Sequence, residues 1–385
     1  MDALRLFLAF GVALVAVVAA VQLLWGWLEI PSLADVPASP AWTQPPRVSV
    51  IVAARDEERH IEAAVSSLLG QDYPDYQIVV VDDRSTDRTP EILARLARMD
   101  ARVRMTRVNE LPHGWLGKNH ALHLGARSAD GELLLFADAD VMLEPSAVSR
   151  AVRLLGVERA DHLAVAPDLD LPTWPLALVV NYFMMWFLLW LRPWRARSPR
   201  NSAFIGIGAF NLVRASSYRA VGGHERIRLR PDDDIMLGKL LKDSGAAQRI
   251  ADGAGIARVE WYPSLGQLAR GFRKNAFAGL HYSILMATGA MVGNLLLAVW
   301  PFVAVWMTAG PERALYVVAA LSQVAAYAGS ASTKRSRWWL APLYPLAALL
   351  FVAILCAAVV RTLRRHGIEW RGTHYPLDQL RGNRV

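Results

Sequence analysis

Hydrophobic positions follow two patterns along this chain. Between about residues 46 and 275, short apolar runs alternate with amphipathic stretches. Val48 to Ala53 reads as a buried strand, and Glu57 to Leu69 has helical spacing, with Ile61, Val65, Leu68 and Leu69 on one face. Gln71-Asp72-Tyr73-Pro74 marks a turn. A strand is expected over Ile78 to Val81, a helix over Thr89 to Met99, and a third strand over Val103 to Val108. A helix over Asn119 to Ser128 and a strand over Leu133 to Phe136 follow. Such alternation predicts an α/β domain, a mostly parallel sheet with helices on both faces.

The second pattern is long and unbroken. Leu4 to Trp25 is almost wholly apolar, and so are stretches from about His281 to Ala331 and from Trp338 to Val360. Each is long enough to cross a bilayer, which takes roughly 20 apolar residues. The expected organisation is a transmembrane anchor over 1–28, a proline-rich linker over 29–46 and a catalytic domain over 47–280. A transmembrane region of two or three spans follows over 281–360, then a basic tail over 361–385. The first run is read as an uncleaved anchor rather than a signal peptide. Three C-terminal spans would put the tail opposite the soluble domain, whereas Arg361, Arg364, Arg365 and Arg371 favour the cytoplasmic side. The side of the tail stays open at this point.

One segment departs from the alternation. Pro172 to Trp194 is nearly continuous apolar sequence with Trp186, Phe187 and Trp190. If it crossed, acidic clusters before and after it would lie on opposite faces of the membrane. It is therefore expected to be an interfacial helix, flanked by Arg192, Arg195 and Arg197. A buried core helix is the alternative.

Composition adds modest detail. The hydrophobic content of 54% in 385 residues is explained by the long runs. Net charge is +8, but the basic residues gather beside apolar segments, in Arg192–Arg200, Lys334–Arg337 and Arg361–Arg365. That placement suits an anionic membrane face and argues against a nucleic-acid partner. Cys356 is the sole cysteine, so no intrachain disulfide forms.

The chemistry concentrates at two strand ends. Ile78-Val79-Val80-Val81 opens into Asp82-Asp83, and Leu133-Leu134-Leu135-Phe136-Ala137 opens into Asp138-Ala139-Asp140. Open α/β sheets bind ligands outside the carboxyl ends of their strands. Carboxylates at i and i+2 can hold Mg²⁺ or Mn²⁺, with water and diphosphate oxygens completing the shell. An isolated Asp-x-Asp is a weak signal; the preceding strand and the companion Asp82–Asp83 cluster strengthen it.

Val48-Ser-Val-Ile-Val-Ala-Ala-Arg-Asp-Glu-Glu58, Gln71-Asp-Tyr-Pro74 and Val81-Asp-Asp-Arg-Ser-Thr-Asp87 together resemble the opening of a family 2 glycosyltransferase with the GT-A fold. Asp138-Ala-Asp140 falls at that family's metal-binding motif. Arg230-Pro-Asp-Asp-Asp-Ile-Met-Leu-Gly238 resembles its later acidic motif. The resemblance covers about 47 to 280. With its terminal apolar runs, the chain is most similar to the lipid-modifying branch: ceramide glucosyltransferases and hopanoid- or carotenoid-associated bacterial glycosyltransferases.

The resemblance implies residue roles. Asp83 would contact the nucleotide with Asp82 beside it, and Ala53, Arg55 and Glu57 would line the nucleotide pocket. Asp138 and Asp140 would hold the metal and the donor diphosphate. Asp234, or its neighbour Asp233, would be the general base. It also implies inversion at the anomeric carbon. Lys118, in the glycine-flanked loop His113–Asn119, is expected to face phosphate or sugar, a solvated lysine being the alternative. Arg270-x-x-Arg273 matches the spacing of a Gln/Arg-x-x-Arg-Trp signature, although Lys274 replaces the tryptophan. These arginines would neutralise the leaving diphosphate or bind lipid headgroups. Trp115 stacks on a ligand or packs. His224 is a weaker site candidate, His120 and His123 are expected to be structural, and Asp168 and Asp170 are expected to be plain loop carboxylates.

The expected activity is transfer of a sugar from a nucleotide-sugar, UDP-linked by preference, to a lipid hydroxyl. It would take place at the cytoplasmic face of an inner membrane. Rival readings are a polyprenyl-phosphate glycosyl transferase, a polysaccharide synthase or a nucleotidyltransferase on the same scaffold, and a non-catalytic nucleotide-sugar-binding membrane protein.

Overall fold

The computed structural model describes residues 2–38, 44–333 and 336–383. Part of the expected linker (39–43), Lys334 and Arg335 of one basic cluster, and the last two residues of the basic tail lie outside them. The chain divides into two units.

The first apolar run is one helix, α1 (Asp2–Glu29). The linker that follows is partly structured. A 3-10 turn at Leu33–Asp35 buries Leu33 completely, and Pro31 accepts a hydrogen bond from the Asp252 N–H. This stretch belongs to the α/β unit because an apolar side chain with a buried site leaves water.

The alternating elements come next. They are β1 (Val48–Ala54), α2 (Ile61–Leu69), β2 (Tyr76–Asp83), α3 (Thr89–Met99), β3 (Val103–Val108), α4 (Gly117–Ser128) and β4 (Leu133–Asp138). The α2 helix starts four residues later than its periodicity suggests. Asp56 (φ +53°) and the following turn divert residues 55–60 into the loop beyond β1. After β5 (Val141–Leu143) and α5 (Ala147–Val157) come β6 (His162–Ala166) and β7 (Asp168–Leu169). The α6 helix (Trp174–Leu191) then precedes β8 (Asn211–Arg214), α7 (Ala215–Ala220), α8 (Asp233–Asp243), β9 (Gln248–Asp252) and β10 (Ala257–Val259).

Seven strands form one sheet in the order β3-β2-β1-β4-β8-β6-β9. Strands β3, β2, β1 and β4 are mutually parallel; β8 runs antiparallel to β4 and β6, and β9 is parallel to β6. Alternate side chains of β1 face opposite layers. Val48, Val50 and Val52 pack with Ile61 and Val65 of α2 and Leu93 of α3, while Ile51 packs with Leu122 and Ala126 of α4 and Leu237 of α8. Strands buried on both faces read as continuous apolar runs. A small second sheet, β5-β10-β7, uses Asp168 and Asp170 structurally: Asp168 Oδ2 accepts the Gly255 N–H at 2.7 Å, and Asp170 pairs with Arg258 at 3.1 Å. Strands before α6 and after it pair in the same large sheet, β4 and β6 with β8, and β6 with β9.

The helical unit holds α1, α6, α9 (Leu265–Asn275), α10 (Ile284–Asn294), α11 (Trp300–Met307), α12 (Gly310–Thr333) and α13 (Tyr344–Arg364). A hairpin, β11 (Gly367–Trp370) with β12 (Thr373–Pro376), and α14 (Leu377–Gly382) follow. Small residues let helices approach closely: Ala9, Ala13 and Ala16 of α1 pack on Tyr316 and Ala319 of α12. A π-helical stretch, Leu295–Val299, joins α10 to α11, and Gln323 donates to the Leu297 carbonyl there. The α6 helix buries Leu176 to Tyr182 and Met185, against Leu23, Tyr327 and Tyr344 among others. Trp186 is partly buried in the same cluster, while Trp190 is 69% exposed.

Five helices among the described residues are long and apolar enough to cross a membrane: Ala3–Glu29, Trp174–Arg197, Ile284–Met307, Gly310–Thr333 and Trp338–Arg364. Leu28, Leu285 and Trp306 are largely exposed on them, as lipid-facing side chains are. The chain is a membrane protein. Gly382 and Asn383 belong to the α/β unit again. There the Asn383 side chain accepts the Leu229 N–H at 2.9 Å and donates to the Arg226 carbonyl at 3.0 Å.

Candidate active site

Parallel pairing sets the site's base. Ala53 is level with Asp138 across β1 and β4, and Ala54 with Asp82 across β1 and β2. The acidic strand ends therefore share one edge of the sheet, the carboxyl edge where α/β folds bind ligands.

At the β2 end, Asp83 is buried and held by Arg84, Nε to Oδ1 at 2.7 Å and Nη2 to Oδ2 at 3.1 Å. Arg55 Nη1 lies 3.6 Å from Asp83 Oδ2. Gly117, first residue of α4, presses on the same carboxylate: a Cβ there would sit 2.0 Å from Asp83 Oδ2. Asp82 is fully buried; it accepts the Ser85 N–H at 3.2 Å and faces Arg107 Nε at 3.3 Å. The Glu57 N–H donates to Thr89 Oγ1 at 2.8 Å, which ties the loops after β1 and β2 together.

At the β4 end, Lys118 Nζ stands 2.7 Å from Asp138 Oδ1 and 3.6 Å from Asp233 Oδ1. Burial works against its charge, but Asp138, Asp233 and Asp234 outweigh this and raise its pKa. Asp140, in the turn between β4 and β5, has its carboxyl pushed up to about 7 by burial and by the charges of Asp138 and Glu57.

Asp233 and Asp234 open α8. Asp234 Oδ2 accepts the Gly208 N–H at 2.7 Å, and Oδ1 accepts the Ile235 N–H at 2.9 Å. Burial, with Asp138 nearby, raises the Asp234 pKa. A cavity is lined by Lys118, Asp138, Gly208, Asn211, His224, Asp233 and Asp234. His224 is neutral: burial and the neighbouring Lys118 push it down to about 3, and its Nδ1 meets the Tyr218 hydroxyl at 2.9 Å. Trp115 packs against His120 and His123, ring centroids 5.4 and 5.0 Å away.

The α8 start is positioned from α4. Asn119 Nδ2 donates to the carbonyls of Ile227 (2.7 Å) and Arg230 (2.9 Å), and the Leu116 N–H to that of Arg228 (2.8 Å). Arg230 is itself buried against Asp232, with contacts of 2.8 and 2.6 Å.

Two glycines were not singled out from sequence. A Cβ on Gly208 would lie 2.8 Å from Asp138 Oδ2 and 3.4 Å from Asp234 Oδ2; one on Gly206 would lie 1.8 Å from the Asp234 carbonyl oxygen. The Gly206-Ile207-Gly208 spacing ahead of β8 was the available signal. Arg270 and Arg273 are on α9 in the helical unit, whereas every other expected site residue is in the α/β unit.

The site fits a divalent cation. The residue at 208 lacks the Cβ that would crowd Asp138 and Asp234, and buried Asp140 is faced by the like charges of Asp138 and Glu57. Among the described residues no three His, Cys, Asp or Glu side chains converge as a complete cage.

Residues 49–222 match the protein-family model described as "Glycosyl transferase family 2". Over that span, a little under half of the chain, the protein carries a domain similar to that family. A mannosyltransferase from Pyrobaculum calidifontis, solved in complex with GDP-Man and Mn²⁺, superposes over 93% of this chain and 99% of its own, with TM-score 0.53 and 20% identity. That likeness shows the fold, GT-A. An uncharacterized glycosyltransferase of Haemophilus influenzae is 32% identical over 118 residues, 31% of this chain and 35% of its own. A beta-monoglucosyldiacylglycerol synthase of Nostoc sp. is 33% identical over 122 residues, 31% of this chain and 26% of its own. A 4,4'-diaponeurosporenoate glycosyltransferase of Staphylococcus haemolyticus is 24% identical over 216 residues, 56% of either chain. The chain thus spans between about a quarter and just over half of these relatives.

Proposed function

We propose that this protein transfers a sugar from a nucleoside-diphosphate sugar, UDP-linked by preference, to a hydroxyl of a membrane lipid, with inversion. The observation that carries the reading is the convergence of Asp138, Lys118, Asp233 and Asp234 on one cavity at the carboxyl edge of the sheet. Two relatives act on lipid-type acceptors by name, which supports a lipid here.

Asp83, Asp82, Arg55, Ala53 and Glu57 would receive the nucleotide. Asp138 and Asp140 would hold Mg²⁺ or Mn²⁺, which when bound supplies Lewis-acid stabilisation of the departing diphosphate. Asp234 takes the proton of the acceptor hydroxyl at a carboxylate oxygen. Its raised pKa makes it a better base than a solvated aspartate. Asp233, 3.6 Å from Lys118, is less free to accept a proton. Lys118 keeps its charge throughout and offsets the crowd of carboxylates. Backbone donors from Gly208 and Ile235 fix the Asp234 carboxylate.

The α/β unit would face the cytoplasm of an inner-membrane protein. The sheet contains strands from both sides of α6, so a single crossing by α6 is not compatible with it. The helix would lie along the membrane face without crossing, with Trp190 and Arg192 at the boundary. The burial of its inner face extends the interfacial expectation to a helix seated among the spans.

The test is incubation of the purified protein in lipid nanodiscs with UDP- and GDP-sugars, Mn²⁺ and total membrane lipid. Mass spectrometry should show one lipid class gaining one sugar, and chelation should stop it. Consumption of donor by hydrolysis alone, with no glycosylated lipid, would count against a lipid acceptor.

A further inference from the structure

The helical unit carries a cluster of arginines outside the candidate active site. Arg270 and Arg273 are one turn apart on α9, and Arg361 and Arg365 are one turn apart at the end of α13. Helix α9 packs on α13, with the Phe272 and Phe351 rings 6.4 Å apart and perpendicular. The packing sets the α9 arginines beside the arginines at the end of α13, with Arg270, Arg361 and Arg365 all near enough to act on Arg273. Burial and repulsion from Arg361, Arg270 and Arg365 lower the Arg273 pKa. Among the described residues, only Arg365 of the four has an acidic partner, Glu369. The side chains of Arg270, Arg273 and Arg361 make no ion pair or hydrogen bond among the described residues. Lys274 beside them lies over the Trp370 ring, 4.1 Å from its centroid.

Cations gathered without countercharge repel one another, and an anion relieves the repulsion. Guanidinium groups match phosphate oxygens in bidentate geometry. The location favours a lipid source over a soluble one. Arg361 falls in the last turn of a helix long and apolar enough to span the membrane, Trp338–Arg364, and Arg365 follows it directly. That turn is at headgroup depth, where arginine and tryptophan both find partners. We propose that Arg270, Arg273, Arg361 and Arg365 form a binding site for the phosphate headgroup of an anionic membrane phospholipid.

The experiment uses the full chain in detergent micelles and reads lipid retention by native mass spectrometry, so it stands apart from any measure of turnover. Dioleoylphosphatidylglycerol and dioleoylphosphatidylcholine are offered at equal concentrations. The wild type should retain phosphatidylglycerol about tenfold more tightly than phosphatidylcholine. Arg273→Gln with Arg361→Gln should lose that preference, and Arg273→Lys with Arg361→Lys should keep most of it. If the double Gln variant melts below the wild type without lipid, the exposed single changes Arg270→Gln and Arg361→Gln replace it, each expected to weaken retention several-fold. Inorganic phosphate and UDP, added at millimolar concentration, should leave the lipid in place. Equal retention of the two lipids by the wild type, or an undiminished preference in the Gln variants, overturns the proposal. Displacement by UDP or phosphate assigns the arginines to a soluble phosphate, the leaving diphosphate included, and overturns it as well.

Discussion

Lys118 Nζ lies 2.7 Å from Asp138 Oδ1, at the point where the start of α4 meets the end of β4. A cation near a helix N-terminus opposes the helix dipole. Here three carboxylates reverse that preference and hold the ammonium charged. Lys118→Met should lower sugar transfer roughly 10²-fold, the usual loss when one preorganised electrostatic group is removed. Lys118→Arg should not restore it, because a planar fork does not fill the place of a compact ammonium. Turnover of Lys118→Met close to wild type, measured with saturating donor, would remove Lys118 from the chemistry.

Gly208 is the second test of the geometry. An alanine methyl would sit 2.8 Å from Asp138 Oδ2, so one carboxylate must move. Gly208→Ala should cost on the order of 10²-fold in kcat, the scale for a misplaced reactive group. Its melting temperature should stay near that of the wild type. Gly289→Ala, whose added Cβ meets nothing within 4 Å, is the control. Equal activity of the two variants would show that the cradle tolerates the methyl.

The choice of base separates two neighbours. Asp234→Asn should keep donor binding and lose about 10²–10⁴-fold in kcat, since a general base acts in the transition state. Asp233→Asn frees Lys118 from one partner and should chiefly weaken donor affinity. If the two patterns are exchanged, the base is Asp233.

Two buried histidines set a pH dependence for folding. Burial holds His162 down to about 4 and His224 down to about 3, against an unfolded value near 6.5. Below pH 6.5 the unfolded chain binds protons that the folded α/β unit refuses. Stability from these groups is therefore present above about 6.5 and lost as pH falls toward 4, at up to about 1.4 kcal/mol per pH unit for each histidine. His162 is hydrogen-bonded to Asn211 through Nε2. His162→Gln can keep that bond without titrating, so melting curves between pH 7 and 5 should fall less steeply for it. Parallel curves would show that His162 does not govern the loss.

Much of this was legible from the chain because the relevant signals are local. Ile78–Val81 and Leu133–Ala137 are apolar runs that end in aspartates, and parallel pairing then sets those ends level. The antiparallel β8 was not legible. Four residues, Asn211–Arg214, are too short a run to declare a strand, and their place between β4 and β6 is fixed by partners about 50 to 80 residues away. Gly206 and Gly208 escaped notice for the same reason: what forbids a side chain there is the Asp234 backbone, 28 residues after Gly206, and the Asp138 carboxylate, 70 residues before Gly208. Leu33 looked like linker because its burial site belongs to the folded unit. The arginines of α13 read as a charge bias for one membrane face, and only packing joined them to α9.

Topology gives the last test. Strands on both sides of α6 share one sheet, and Asn383 is hydrogen-bonded to Arg226 and Leu229 within the same unit. A chain that returns to its starting unit must cross the membrane an even number of times, or not at all, in each excursion. Of the three apolar stretches after residue 281, an even number should then span, which agrees with a basic tail on the cytoplasmic side. Cys356→Ser gives a background without thiols. Cysteines at the exposed positions Thr173, Ser198 and Asp378 should then all react with a membrane-impermeant maleimide from one side, in inside-out vesicles and not in intact cells. Opposite labelling of Thr173 and Ser198 would require α6 to cross once and would break the single-site reading. Opposite labelling of Asp378 alone would mean three spans and would detach Asn383 from the loop it holds.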